Sequence, residues 1–333
     1  MVSLGFVRYQ WPMIATLGAA AGGVLKQKLT RHAGSGVAPV LPGPLVRTTL
    51  PPRADALVKA YVRHVGGDPA GYRGTVPAHL FPQWAFSQAA AVMRGVPYPM
   101  ADMLNAGCRM EIRRPIPAGE PLVLTAQLTA IDDDGRRAVL HTRLVTGTAS
   151  APEALVVDMQ ALCRLKGSGD NHKGGKDAGK PGKEQKPTVP VGAREIARFR
   201  LGARAGLDFA LLTGDFNPIH WIPPAAKAAG FRNTILHGFA SLGRAIEAMN
   251  RVLWAGDTGH LQMIEVRFVR PLVLPATVGV YVGEFHSPGS RAEARPSGEF
   301  AEGPAMPGCP RIENTVTVGD APGGAAYMTG SFR

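Results

Sequence analysis

Residues 209–239 read FALLTGDFNPIHWIPPAAKAAGFRNTILHGF. The run up to Thr213 has helical character. Gly214 and then Asn217-Pro218 end it, because glycine and the residue before a proline both disfavour continued helix. Asp215 and His220 are therefore expected on an irregular loop, where side chains can converge free of helical spacing. His237-Gly238 then opens a longer helix, in which Phe239, Leu242, Ile246, Met249 and Leu253 recur at steps of three and four, with Arg244, Glu247 and Arg251 off that stripe.

Downstream, 261–269, 277–285, 311–318 and 325–332 are rich in β-branched or aromatic residues and are separated by Gly/Pro clusters, the pattern of an antiparallel meander. The stretch 288–310 reads as loop. One long helix followed by such a meander is the plan of a sheet wrapped around a helix. Upstream, 167–186 reads GSGDNHKGGKDAGKPGKEQK, which carries one alanine as its sole apolar side chain and cannot bury a core. It divides the chain in two.

Both parts show the same order of features. RMEIRRPIPAGEPLVL from Arg109 matches QMIEVRFVRPLVLPATVGV from Gln262, so that Arg114-Pro115 and Arg270-Pro271 lie 156 residues apart. His79 precedes the amphipathic segment 84–94 as His237 precedes the long helix, an offset of 158. Two nearly equal offsets point to a duplicated unit. The expected organisation is an apolar N-terminal segment at 1–43, a first domain at 44–165, a disordered basic linker at 166–189 and a second domain at 190–333.

Composition bounds the rest. With 333 residues, 45% of them hydrophobic, the chain can build a core, and 41 glycines with 29 prolines favour sheets and turns over long helices. The net charge of +12 is partly gathered around the linker, where Arg164, Lys166, Lys173, Lys176, Lys180, Lys183 and Lys186 face three acids. Such a run is ordinarily solvated, and no aromatic platform or groove-reading motif accompanies it, which argues against nucleic acid as a partner. A positive surface also attracts the phosphates of coenzyme A or an acidic carrier protein. Cys108, Cys163 and Cys309 are widely spaced and lack CxxC pairing, so a reducing compartment is expected and a disulfide framework or a zinc site is not. The apolar run WPMIATLGAAAGGVL at 11–25 is short and glycine-rich for a membrane span, and leaves docking, membrane contact and organelle targeting open. The expected location is cytoplasmic.

Adding water across an activated C=C bond needs a base for the water proton and an acid for the α-carbon, and a histidine beside a carboxylate suits both tasks. Negative charge develops on the thioester oxygen, which amides at a helix start stabilise, and the Gly238 N–H is the candidate donor. Taken singly, Asp215 reads as a turn residue, Asn217-Pro218 as a common turn, and either histidine as structural.

Together, Thr213-Gly214-Asp215, Asn217-Pro218-Ile219-His220, Ala226-Lys227, Gly230-Phe231 and Ile235-Leu236-His237-Gly238 resemble the signature of the MaoC-like (R)-specific enoyl-CoA hydratases and 3-hydroxyacyl thioester dehydratases. The first half resembles, more weakly, the degenerate N-terminal unit of two-domain members through Phe81, the turn at 95–99 and Arg113-Arg114-Pro115-Ile116. The resemblance implies an α+β double hot-dog fold, each half an antiparallel sheet around a long central helix. It implies Asp215 and His220 as the acid/base pair, Asn217 and His237 as positioning residues, and Gly238 as the thioester donor. It further implies no cofactor or metal and one site per chain, with the first half shaping an acyl pocket. Expected partners are an acyl-CoA or acyl-carrier-protein thioester, with a homodimer left open. Trp221-Ile222-Pro223-Pro224 departs from the family pattern, where an acidic residue commonly follows the histidine. A non-catalytic thioester-binding subunit and a hot-dog thioesterase are the competing readings.

Overall fold

The computed structural model describes residues 1–11, 39–98, 103–165, 186–286 and 312–333. Linker residues 167–185, the loop at 288–310 with Cys309, and residues 12–25 of the apolar run lie outside the described residues, as does Pro99 of the turn at 95–99.

In the first half, strand β1 (Val46–Leu50) leads into helix α1 (Asp55–His64), the short β2 (Thr75–Val76) and helix α2 (Pro82–Val92), followed by β3 (Leu104–Ile112), β4 (Ile116–Pro117), β5 (Leu122–Asp133), β6 (Arg137–Gly147) and β7 (Leu155–Arg164). The second half repeats this with β8 (Arg194–Leu201), α3 (Ala205–Thr213), α4 (Pro223–Ala228), α5 (Gly238–Leu253), β9 (Met263–Phe268), β10 (Ala276–His286), β11 (Ile312–Gly319) and β12 (Ala326–Phe332). The long helix and the four strands after it match the sequence expectation to within two residues at each end. The leading strands β1 and β8 were not legible. In β8 only Ile196 and Leu201 are buried, because an edge strand exposes most of its side chains and loses the alternation that betrays inner strands.

Ten strands form one antiparallel sheet in the order β1-β5-β6-β7-β3-β9-β12-β11-β10-β8. The order is the same from either end once β1, β5, β6, β7 and β3 are matched with β8, β10, β11, β12 and β9. Alternation drives the wrapping: Leu122, Leu124, Ala126 and Leu128 of β5, with Ala138, Leu140 and Leu144 of β6, point one way and bury against α2. In the other half α5 lies against β8, β11 and β12.

The duplicated offsets locate a pseudo-two-fold axis. β3 pairs with β9 from Gly107↔Arg267 to Glu111↔Met263, and the middle pair is Arg109↔Glu265, residues separated by the same 156 positions as the two Arg-Pro breaks. Phe81 and Phe239, offset like the histidines, meet edge to face with ring centroids 5.2 Å apart. Even the short pairings repeat, Val76↔Ile116 in one half and Ile235↔Val273 in the other.

The axis explains why Arg244 and Glu247, polar residues off the apolar stripe of α5, are nevertheless buried. The stripe faces its own sheet, and the polar side faces the first half. Arg244 bonds the Ala240 carbonyl through Nη1 and lies 3.1 Å from His64 Nε2 through Nη2. Residues Leu4–Gln10 form a short 3-10 helix against α3, with buried Gln10 donating from Nε2 to the Leu211 carbonyl. No helix among the described residues is long and apolar enough to cross a membrane.

Candidate active site

Helix α3 stops where the sequence says it should. Gly214 adopts a left-handed conformation (φ 81°) and its N–H bonds the Ala210 carbonyl. The chain then turns through Asp215 and Phe216 into a 3-10 turn at Pro218–His220. Its cap is Asn217, whose Oδ1 accepts from the Ile219 N–H at 3.3 Å, while the Asn217 N–H reaches Asp215 Oδ1 at 3.4 Å. Asn217 therefore shapes the loop. Trp221 Nε1 donates to the Phe216 carbonyl, and the Pro223-Pro224 pair begins α4, where missing N–H groups cost nothing. The departure from the family pattern thus closes this loop as a compact turn.

A second contact fixes the loop against α3. A Cβ on Gly206, in the first turn of that helix, would stand 1.9 Å from the His220 carbonyl oxygen. Only glycine allows this approach. Gly206→Ala is expected to push the 3-10 turn off the helix and lower turnover by roughly a hundredfold, the scale for a displacement of about 1 Å in a catalytic group. Steady-state kinetics with wild-type rates in this variant would remove the Gly206 contact from the account.

The polar groups converge. His220 is buried, with Nδ1 2.8 Å from the Ile235 carbonyl, so that nitrogen carries the hydrogen and Nε2 keeps its lone pair. His237, the N-cap of α5, sets its Nε2 2.9 Å from the Asp215 carbonyl and stacks on His220 with ring centroids 3.6 Å apart. Phe209 backs the pair, 4.9 Å from His237. Asp215 is 13% exposed, with Oδ2 3.8 Å from His237 Nε2. All five residues singled out in the sequence, Asp215, Asn217, His220, His237 and Gly238, thus lie at one place. Phe209, Gly206 and the Ile235 carbonyl were not foreseen, since an apolar ring, a helix glycine and a backbone oxygen carry no chemical signature in sequence.

Burial drives the electrostatics. It raises the Asp215 carboxyl above its ordinary pKa, partly opposed by His220, and lowers the His220 imidazole, partly opposed by Asp215. His237 is pushed well below the usual histidine range, by burial first and by neighbouring His220 second. Both shifts favour the neutral form of the group, the form in which His220 can accept a proton and Asp215 can give one.

Asp215, His220 and His237 bring donor atoms within 4.8 Å of one another, the spacing of a cation site. The two rings are nearly parallel, tilted by 26°, so their lone pairs lie in separate planes. An ion in the plane of one ring would sit far out of the plane of the other, which disfavours a shared metal. The Gly238 amide, at the first position of α5, has no acceptor within the helix. A Cβ at Gly238 would stand 2.6 Å from the Phe268 ring, so glycine is also required for that packing.

Comparison with known proteins converges on the same segment. Residues 181–294 match the model of the MaoC like domain. The chain is 28% identical over 184 residues to a peroxisomal enoyl-CoA hydratase 2 of Arabidopsis thaliana, covering 53% of this chain and 58% of that protein. It is 36% identical over 105 residues to 3-hydroxyacyl-thioester dehydratase X of Mycobacterium tuberculosis, covering 32% and 35%. The matched region is thus little more than half of the first relative and about a third of the second. Among solved structures, HtdX of Mycobacterium tuberculosis superposes with a TM-score of 0.62 at 19% identity, over 87% of this chain and 99% of that one, which shows the fold. Residues 181–294 are thus similar to the MaoC like domain, in a chain that has the double hot-dog fold.

Proposed function

We propose that the chain catalyses reversible hydration of trans-2-enoyl thioesters, carried by coenzyme A or acyl carrier protein, to (R)-3-hydroxyacyl thioesters. The observation that carries this reading is that Asp215 and His220 bring their donor atoms within 4.8 Å of each other beside the amide-bearing start of α5, in a chain whose relatives are named as hydratases and dehydratases. His220 Nε2 takes a proton from water as its oxygen bonds to C3 of the enoyl group. Asp215 supplies the proton that C2 gains, and the Gly238 N–H holds the thioester oxygen on which charge collects. His237 and Asn217 hold the loop that carries the pair. The pair then holds one proton between its members before and after the step, so the dehydration direction uses the same groups in reverse.

The expected result is loss of enoyl-thioester absorbance on adding the protein to trans-2-enoyl-CoA substrates of several chain lengths, with (R)-configured product. Release of free thiol from acyl-CoA would favour a thioesterase instead, and binding without turnover a non-catalytic subunit. The pH profile offers a further check. Since His220 must be neutral to act as base and burial holds its pKa down, the acid limb of kcat/KM should be centred below pH 6.5, with a second fall at higher pH as the pair loses its one proton. An acid limb centred above 6.5 would remove His220 from that role. Location in a reducing compartment, cytoplasmic or organellar, is part of the same proposal, as is function without a second copy of the chain, because both halves of the sheet are present in one chain.

A further inference from the structure

The first half contains a counterpart of the loop that carries Asp215 and His220, related to it by the pseudo-two-fold axis. Gly66 adopts φ 91° where Gly214 adopts 81°, and each is followed by an Asx-Pro step, Asp68-Pro69 two residues on and Asn217-Pro218 three, that runs into a 3-10 turn capped by the Asx side chain. Counted from the two glycines, Gly67 falls at the place of Asp215 and Tyr72 at that of His220, each 148 residues apart, while His79 matches His237 at the 158-residue offset already noted. The carboxylate missing from Gly67 is supplied from the other half. Glu247 of α5 lies so close that a Cβ on Gly67 would collide with it, and its Oε1 is 2.8 Å from the Tyr72 hydroxyl and 3.1 Å from His79 Nε2.

A cavity of about 610 Å³ opens over Tyr72 and His79. That volume lies in the usual range for small-molecule sites. Its walls include Ile116, Ile246 and Leu261, and its rim carries Arg73 and Arg114, both exposed and with no carboxylate partner among the described residues. Arg113, also on the rim, is balanced by Glu111 and Glu153. Fully buried Tyr61 and Phe209, 6.2 Å apart, stand between His79 and His237 and separate this cavity from the catalytic loop.

We propose that this cavity is a second acyl-thioester site that binds without hydrating. The apolar arm of the ligand lies between Ile116 and Ile246, and its phosphates meet Arg73 and Arg114. The Glu247 carboxylate is engaged by Tyr72, His79 and Asn250, and Tyr72 replaces the histidine whose free nitrogen would be the base. A bound thioester there meets no free acid/base pair. The inference rests on the hydratase reading for its class of ligand.

The test is calorimetric titration of the full chain with hexanoyl-CoA, a saturated thioester that cannot be hydrated, alongside hydration of trans-2-hexenoyl-CoA. Two equivalents per chain are expected. The double variant Arg73→Glu/Arg114→Glu should lose one of them while keeping its melting temperature and its kcat/KM for hydration. A single equivalent in the parent, or two equivalents retained in the double variant, overturns the second site. So does a parallel loss of hydration in that variant, which would place the arginines at the catalytic site. Absence of hydration with two equivalents still bound leaves the second site standing and removes the hydratase reading instead.

Discussion

Asp215→Asn is expected to lower kcat for enoyl-CoA hydration by about a thousandfold with little change in KM, within the range ascribed to a positioned acid or base. The substitution keeps the side-chain volume and an oxygen to accept the Asn217 N–H, so the loop shape is preserved. What disappears is a group that can donate a proton and take it back. His220→Ala is expected to be as severe, but for two combined reasons. It removes the Nε2 lone pair, and it also removes the bond to the Ile235 carbonyl and the stacking on His237. The two variants therefore differ in stability, Asp215→Asn melting near the parent and His220→Ala below it. Turnover within tenfold of the parent for Asp215→Asn would take that residue out of the chemistry. A common intermediate protonation state also predicts that the double variant is hardly slower than either single one, since residues acting as a unit are not additive.

The largest effect on stability is expected at Glu247. Its carboxylate is 3% exposed and serves Tyr72, His79 and Asn250 at once, and burial together with Glu247 raises the Tyr72 hydroxyl well above its ordinary pKa. Glu247→Ala leaves those partners buried without their acceptor and opens a void against Gly67. Breaking such a pair costs about 3–5 kcal/mol. For a chain of 333 residues that corresponds to a fall in melting temperature of about 4–7 °C. Glu247→Gln keeps an acceptor oxygen for Tyr72 and should lose less. The residue bridges the two halves, so calorimetry of Glu247→Ala is also expected to broaden the transition as the halves uncouple. A melting temperature within a degree or two of the parent would mean that water replaces the carboxylate, and the inter-half role would fall.

How much of this was legible follows from how local each signal is. Gly214 must be left-handed to end α3, Asn217-Pro218 must turn, and Asp215 and His220 are five residues apart on the same loop, so their meeting needed no long-range information. The same holds for α5, where an apolar stripe at steps of three and four is a property of one helix. By contrast, the buried state of Arg244 and Glu247 was illegible, because polar residues off a stripe ordinarily face water. They face another half of the chain instead, and no window of sequence around α5 contains that half.

The counterpart loop shows the same limit. Gly66-Gly67-Asp68-Pro69 lacks a histidine and uses its one carboxylate, Asp68, as the cap of the turn that follows, so the sequence alone registers a missing motif. Only when α5 lays Glu247 into the space above Gly67 does a carboxylate return, supplied from a position 180 residues later in the chain than Gly67. The sequence by itself determined the loop that carries Asp215 and His220, the central helix and the duplication, because these rest on backbone preferences and on short periodicities that neighbouring residues impose on one another. Tertiary structure decided the single ten-stranded sheet, the axis through Arg109 and Glu265, and the burial of Glu247, because each depends on which surfaces meet when two homologous halves pack across a shared edge.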